Sequence, residues 1–100
     1  MNTTTTPGPK GRRFFLGALR TTPGARDALE TAGVTATALL SRHVRGDWGT
    51  VDRHDAAAND DAVKHGDRIL SSYLIGADVK VWVITEADRS ATTILLPEDY

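Results

Sequence analysis

Val79-Lys80-Val81-Trp82-Val83-Ile84-Thr85-Glu86-Ala87-Asp88-Arg89-Ser90-Ala91-Thr92-Thr93-Ile94-Leu95-Leu96 decides the fold class of this chain. Valine, isoleucine, threonine and tryptophan dominate both arms, and those side chains suit a pleated, half-buried sheet. Glu86-Ala87-Asp88-Arg89, short and mostly polar, has the length of a hairpin loop. Upstream, Ile69 to Ile75 reads as another strand, with Gly76-Ala77 as the turn before Val79. Pairing Ile75 with Asp78 across that turn sets Leu74 opposite Val79, Ser72 opposite Val81 and Leu70 opposite Val83. That face is apolar but for one serine and is expected to form the core. The reverse face then carries Ile69, Ser71, Tyr73, Lys80, Trp82 and Ile84, an aromatic and polar mixture suited to contact.

Helical signals fill the chain before Gly66. Thr22-Pro23 supplies an N-cap and a proline at the first helical position, Ala25, Ala28, Leu29 and Ala32 recur at helical spacing, and Gly33 stops the helix. Thr35 caps a second helix, with Val34 placed to staple onto Leu39; its buried stripe is Leu39, Leu40, His43 and Val44. Asp52 caps a third, rich in alanine and closed by His65-Gly66. Phe14, Phe15, Leu16 and Leu19 read as a short strand or an extended lead-in. The expected fold is therefore α+β: three short helices, then a three-stranded antiparallel meander, with the helices packed on one sheet face. Residues 1–13 carry a threonine run and a basic Pro/Gly segment, which predicts a disordered arm before one domain over 14–100.

Composition narrows the function classes. One hundred residues are too few for a nucleotide-binding domain plus a substrate domain. A formal charge of −1 gives no global field toward nucleic acid or anionic membrane, so such a contact needs a local patch. Lys10, Arg12, Arg13 and Arg20 are one basic run able to meet phosphates. Without cysteine there is no disulfide, thiolate metal site or Cys nucleophile. No apolar run reaches a membrane span or a secretory core, which makes the cytoplasm the expected location. No cofactor signature is present, and nothing in the pattern sets an oligomeric state.

Three constellations carry possible chemistry. His43, Arg45 and Asp47, beside Trp48, can supply a proton shuttle, an anion clamp and an orienting carboxylate; the competing role for His43 is a buried, hydrogen-bonded one, since it follows the apolar stripe. His54, Asp55, Asn59, Asp60, Asp61 and His65 lack metal-ligand spacing and read as a solvated helix face, so no metal is expected. Arg89 beside Thr92 and Thr93 can grip a phosphate or carboxylate. Convergence of His43 or Arg89 on Asp47 would join the first and third groups.

Two segments, His43-Val44-Arg45-Gly46-Asp47-Trp48-Gly49 and Val81 to Tyr100, resemble the small "plasmid-related" proteins of bacterial mobile elements, a likeness running from about Leu16 to Tyr100. Members are sometimes labelled as a type I restriction enzyme subunit, yet this chain has neither the nucleotide-binding domain nor the Asn/Asp-Pro-Pro-Tyr/Phe motif of a methyltransferase. The resemblance implies work near DNA or host defence, and the function expected is a small interaction module of a mobile element, binding a protein or nucleic-acid partner in host defence or DNA transfer. Its expected contacts are Asp47, Trp48, Tyr73, Lys80, Trp82, Arg89, Thr92 and Thr93. The alternative, by fold analogy with the barnase and RelE-like toxins, is a metal-independent endoribonuclease with His43 as acid/base and Arg45 and Arg89 stabilising the phosphorane.

Overall fold

Each helix begins where its capping chemistry directs. The Thr22 hydroxyl accepts the Ala25 N–H at 3.2 Å and Pro23 opens α1 (Pro23–Ala32), which ends on Gly33 at φ 70°. Thr35 accepts the Ala38 N–H at 3.1 Å to start α2 (Ala36–Val44). Asp52 accepts the Asp55 N–H at 2.8 Å to start α3 (Arg53–His65). The computed structural model describes residues 11–100, so the arm expected over 1–13 lies outside it except for its last three residues. Of these, Arg13 joins the domain: its N–H bonds the Val44 carbonyl at 2.8 Å and its guanidinium lies 5.9 Å from the Trp48 ring centre.

Four strands follow the order β1 (Ala18–Thr21), β4 (Ala91–Leu95), β3 (Lys80–Thr85), β2 (Ile69–Leu74), and a 3₁₀ turn at Pro97–Asp99 follows β4. β2, β3 and β4 form the expected antiparallel meander, but β1 adds to it in parallel beside β4. The three-stranded, all-antiparallel expectation is corrected accordingly to a four-stranded mixed sheet. A parallel neighbour needs a long crossover, and everything between Thr22 and Ser90 supplies it. The ladder is fixed by Ala18 N–H to the Ser90 carbonyl at 2.9 Å and Thr22 N–H to the Ile94 carbonyl at 3.0 Å.

The β2–β3 register also differs from expectation. The Ile75 N–H bonds the Val79 carbonyl at 2.9 Å, leaving a three-residue loop, Gly76-Ala77-Asp78, where a two-residue turn was expected. One added residue turns every β2 side chain over. Ile69, Ser71 and Tyr73 are consequently fully buried under the helices, in line with Val81, Val83, Thr85, Thr92 and Ile94. α1 and α2 lay Ala25, Leu29 and Leu39 on Tyr73, Val81, Val83 and Ile94. α3 runs beside β2 and brings Ala62 against Ile69, Phe14 and Trp48. Each large aliphatic side chain so covered contributes about 1.5–3 kcal/mol. Leu70, Leu74, Trp82, Ile84 and Leu95 point to the opposite face and belong to neither cluster.

The two sheet edges are treated differently. On β2 the Asn59 carboxamide gives its N–H to the Leu70 carbonyl at 2.8 Å and accepts the Leu70 N–H at 3.2 Å, standing in for a neighbouring strand. One step along, the Ser72 N–H bonds the Trp48 carbonyl at 3.1 Å and the Thr50 N–H bonds the Ser72 carbonyl at 2.6 Å. Gly49 makes this approach possible, because a Cβ there would sit 1.9 Å from the Ser72 oxygen. On β1, the amides of Ala18 and Thr22 turn toward β4, so alternation aims the backbone groups of Leu19 and Thr21 outward. Among the described residues those outward groups have no hydrogen-bond partner.

Candidate functional site

His43 sits at the centre of a buried polar chain. Its Nδ1 lies 2.5 Å from Ser71 Oγ and its Nε2 2.9 Å from Thr85 Oγ1. Thr85 Oγ1 is 2.7 Å from Thr92 Oγ1, and Thr92 donates to the Leu16 carbonyl at 2.7 Å. A carbonyl only accepts, so the single Thr92 proton is committed to Leu16. Thr85 must then donate to Thr92, His43 Nε2–H to Thr85, and Ser71 to Nδ1. Donor counting thus places a proton on Nε2, and in the neutral ring Nδ1 accepts from Ser71. Burial first, then the charge of Arg89, pushes its pKa down to about 3. The ring also meets Phe14 edge-on at 5.2 Å and Trp48 at 5.9 Å between centroids.

The acid/base role expected as an alternative for His43 requires a substrate to reach the ring. His43 is 0% exposed and both nitrogens are engaged, so it is a structural hub. Thr92, expected at the contact surface, is buried in the same chain for the same reason.

Asp47 finds a different partner from the expected His43 or Arg89. Arg42 grips it through Nε at 2.6 Å and Nη2 at 3.3 Å and lies 4.5 Å from the Tyr73 ring centre. That hydrogen bond, with the Gly49 N–H among the smaller causes, holds the Asp47 carboxyl below its ordinary range despite the opposing effect of burial. Tyr73, expected on the contact face, is buried by the register shift and donates to the Asp47 carbonyl at 2.6 Å. Trp48 is likewise buried: its Nε1 donates to Asp60 at 3.1 Å and it stacks on Phe14.

Arg89 has φ 61°, and its guanidinium donates to the carbonyls of Asp67, Glu86, Ala87 and Ala62 at 2.7, 3.0, 3.1 and 2.9 Å. It latches the β3–β4 loop onto the negative end of α3, so its donors are spent on carbonyls rather than on an anion. Arg45 is exposed at the C-cap of α2. The expected His43, Arg45 and Arg89 trio therefore does not assemble around one accessible point.

The remaining expected contacts, Lys80, Trp82 and Thr93, do share one face, the one away from α1 and α2, where Lys80 is exposed, Trp82 and Thr93 are half-buried and Ile84 and Leu95 are buried. Trp82 pairs with Leu95, Ile84 with Thr93, and Arg20 of β1 with Thr93 on its other side. Tyr100 folds onto this face with its ring 5.7 Å from Trp82 at 68°. Arg68, just before β2, lies 5.4 Å from the Tyr100 ring centre and donates to its hydroxyl at 2.5 Å. Arg20, Arg68 and Lys80 are exposed, and among the described residues none forms an ion pair. No strand position on this face is acidic. Comparison with known proteins finds no match. No family model, curated protein or solved structure corresponds to the chain.

Sequence reasoning missed Arg20, Arg68 and Tyr100 as members of the face. The parity of Arg68 with Leu70 was a usable signal once the register was known. Tyr100 follows an irregular turn and no period announces it. Among the described residues no three His, Asp or Glu side chains cluster as metal ligands, and no helix is long and apolar enough to cross a membrane.

Proposed function

We propose that this protein is a small interaction module that binds single-stranded nucleic acid across the helix-free face of its sheet. The observation supporting this reading is that Trp82 and Tyr100 share that face with Arg20, Arg68 and Lys80 and with no acidic strand residue. Bases stack on aromatic rings with little regard to sequence, about 1–3 kcal/mol per base, while cations beside the rings follow the phosphates. The near-neutral total charge restricts the attraction to this patch. On the likeness to plasmid-related proteins, the module acts in the bacterial cytoplasm beside the nucleic acid of a mobile element, in DNA transfer or host defence.

Fluorescence anisotropy with labelled oligothymidine and oligouridine of about 12 nucleotides tests the reading. Binding is expected at low salt, with log K falling against log salt at a slope of about −2 for three phosphate contacts. Arg20→Ala, Arg68→Ala and Lys80→Ala should each flatten that slope by about 0.7. Tyr100→Ala should weaken binding with the slope unchanged. Absence of binding to either oligonucleotide at low salt overturns the nucleic-acid reading and leaves a protein as the partner for this face.

A further inference from the structure

We infer that the outer edge of β1 is a pairing surface for a second copy of this chain, giving a two-fold dimer with one continuous eight-stranded sheet. This inference stands apart from what the helix-free face binds. An edge strand with unpaired backbone groups is a template for another strand, and proteins ordinarily blunt such edges. This protein does so on β2, where Asn59 and the Trp48–Thr50 segment occupy the ladder positions of Leu70 and Ser72. Among the described residues β1 has no such cover: Leu19 and Thr21 present their N–H and C=O groups outward, and Leu19 is 59% exposed. Phe15, 70% exposed, stands nearby. Between β1 and α2 runs a groove of about 340 Å³ lined chiefly by Leu16, Leu19, Leu40 and Val44.

Self-complementarity selects the occupant. A dyad through Leu19 lets Leu19 of each copy donate its N–H to the Leu19 carbonyl of the other, a closely spaced antiparallel pair. Leu19 is in register with Thr92 and so points to the helix side. The two Leu19 side chains would then lie together over the mouths of the two grooves. The same dyad sets Arg20 opposite Ala18 of the other copy, whereas a dyad through Arg20 would oppose two guanidiniums, which is unfavourable. Because β2 is covered at Leu70 and Ser72, β1 is the longer open edge among the described residues, and pairing through it closes at two copies rather than growing into a fibre. A net charge of −1 raises no long-range repulsion between copies.

The test is sedimentation of the full chain from about 1 µM to about 1 mM, with amide exchange read at both ends of the series. A dimer that dissociates on dilution is expected, with the Leu19 and Thr21 amides protected only at high concentration. Leu19→Lys puts like charges at the dyad, and Thr21→Pro removes an outward N–H without touching the β4 ladder. Each should raise the dissociation constant at least tenfold with an unchanged circular dichroism spectrum. Leu74→Lys, on the opposite edge strand β2, should dimerise like the wild type. A wild type monomeric at the highest concentration overturns the inference. So does a dimer that survives both β1 substitutions, or Leu19 and Thr21 amides that exchange equally fast in monomer and dimer.

Discussion

Acid should loosen this fold through His43 before its carboxylates contribute. In the folded chain the imidazole is held neutral with a pKa near about 3, against the ordinary 6.5 expected once the chain unfolds. The unfolded state therefore binds the proton first, so stability is full above pH 6.5 and is lost progressively down to pH 3. Linkage between those two values removes about 2 kcal/mol by pH 5 and about 3 kcal/mol by pH 4. The geometry gives the same sign. A protonated ring has two donors, so Ser71 would have to reverse its hydroxyl and find another acceptor. His43→Gln keeps one hydrogen bond and cannot titrate; it should lower stability at pH 7 by about 1–3 kcal/mol, since buried hydroxyls lose a partner. Urea unfolding followed by tryptophan fluorescence at several pH values compares the two. Between pH 7 and pH 5 the wild type should lose about 2 kcal/mol more than the variant. The lowered carboxyls of Asp47, Asp88 and Asp99 lose their contribution only further down, and equally in both proteins. Parallel losses in wild type and variant would refute the neutral, buried assignment.

Five further substitutions probe the frame. Gly49→Ala forces a Cβ into the Ser72 carbonyl at φ 75°, and a melt should show a loss of about 2 kcal/mol or more. Asn59→Ala strips the Leu70 amide and carbonyl of their partners; expect a loss of about 1–3 kcal/mol and faster aggregation on heating, measured by light scattering. Val83→Ala, fully buried, should cost about 1–3 kcal/mol, and Leu40→Ala, only partly covered, clearly less than Leu39→Ala in the same melts.

What was readable locally read well. Thr22, Thr35 and Asp52 each place an oxygen where the first orphan amides need it, and Gly33 and Gly66 each take the left-handed stop. The β2 register was not readable, because each face of Ile69-Leu70-Ser71-Ser72-Tyr73-Leu74 offers two large apolar residues and one serine. The pattern had no preferred side, and a single loop residue chose it. β1 escaped because its four residues take their meaning from β4, at the other end of the chain. The candidate face inherited both errors: Tyr73 was assigned to it and Arg20 left out. His43 was readable in one of its two roles, since its place on the Leu39–Leu40 stripe already pointed inward.

The pairing of β1 with β4 has a consequence for how the molecule reaches its final form. Leu19 lies against Thr92, so the contact closes a loop of 73 residues, while the β2–β3 and β3–β4 hairpins close over a few. Short loops close first, and β1 docks only once the meander it joins already exists. Until then the flank of β4 is itself a bare edge of matching shape. In a crowded refolding mixture the β1 of a neighbouring molecule competes for it, so the yield of correctly closed monomer should fall as chain concentration rises.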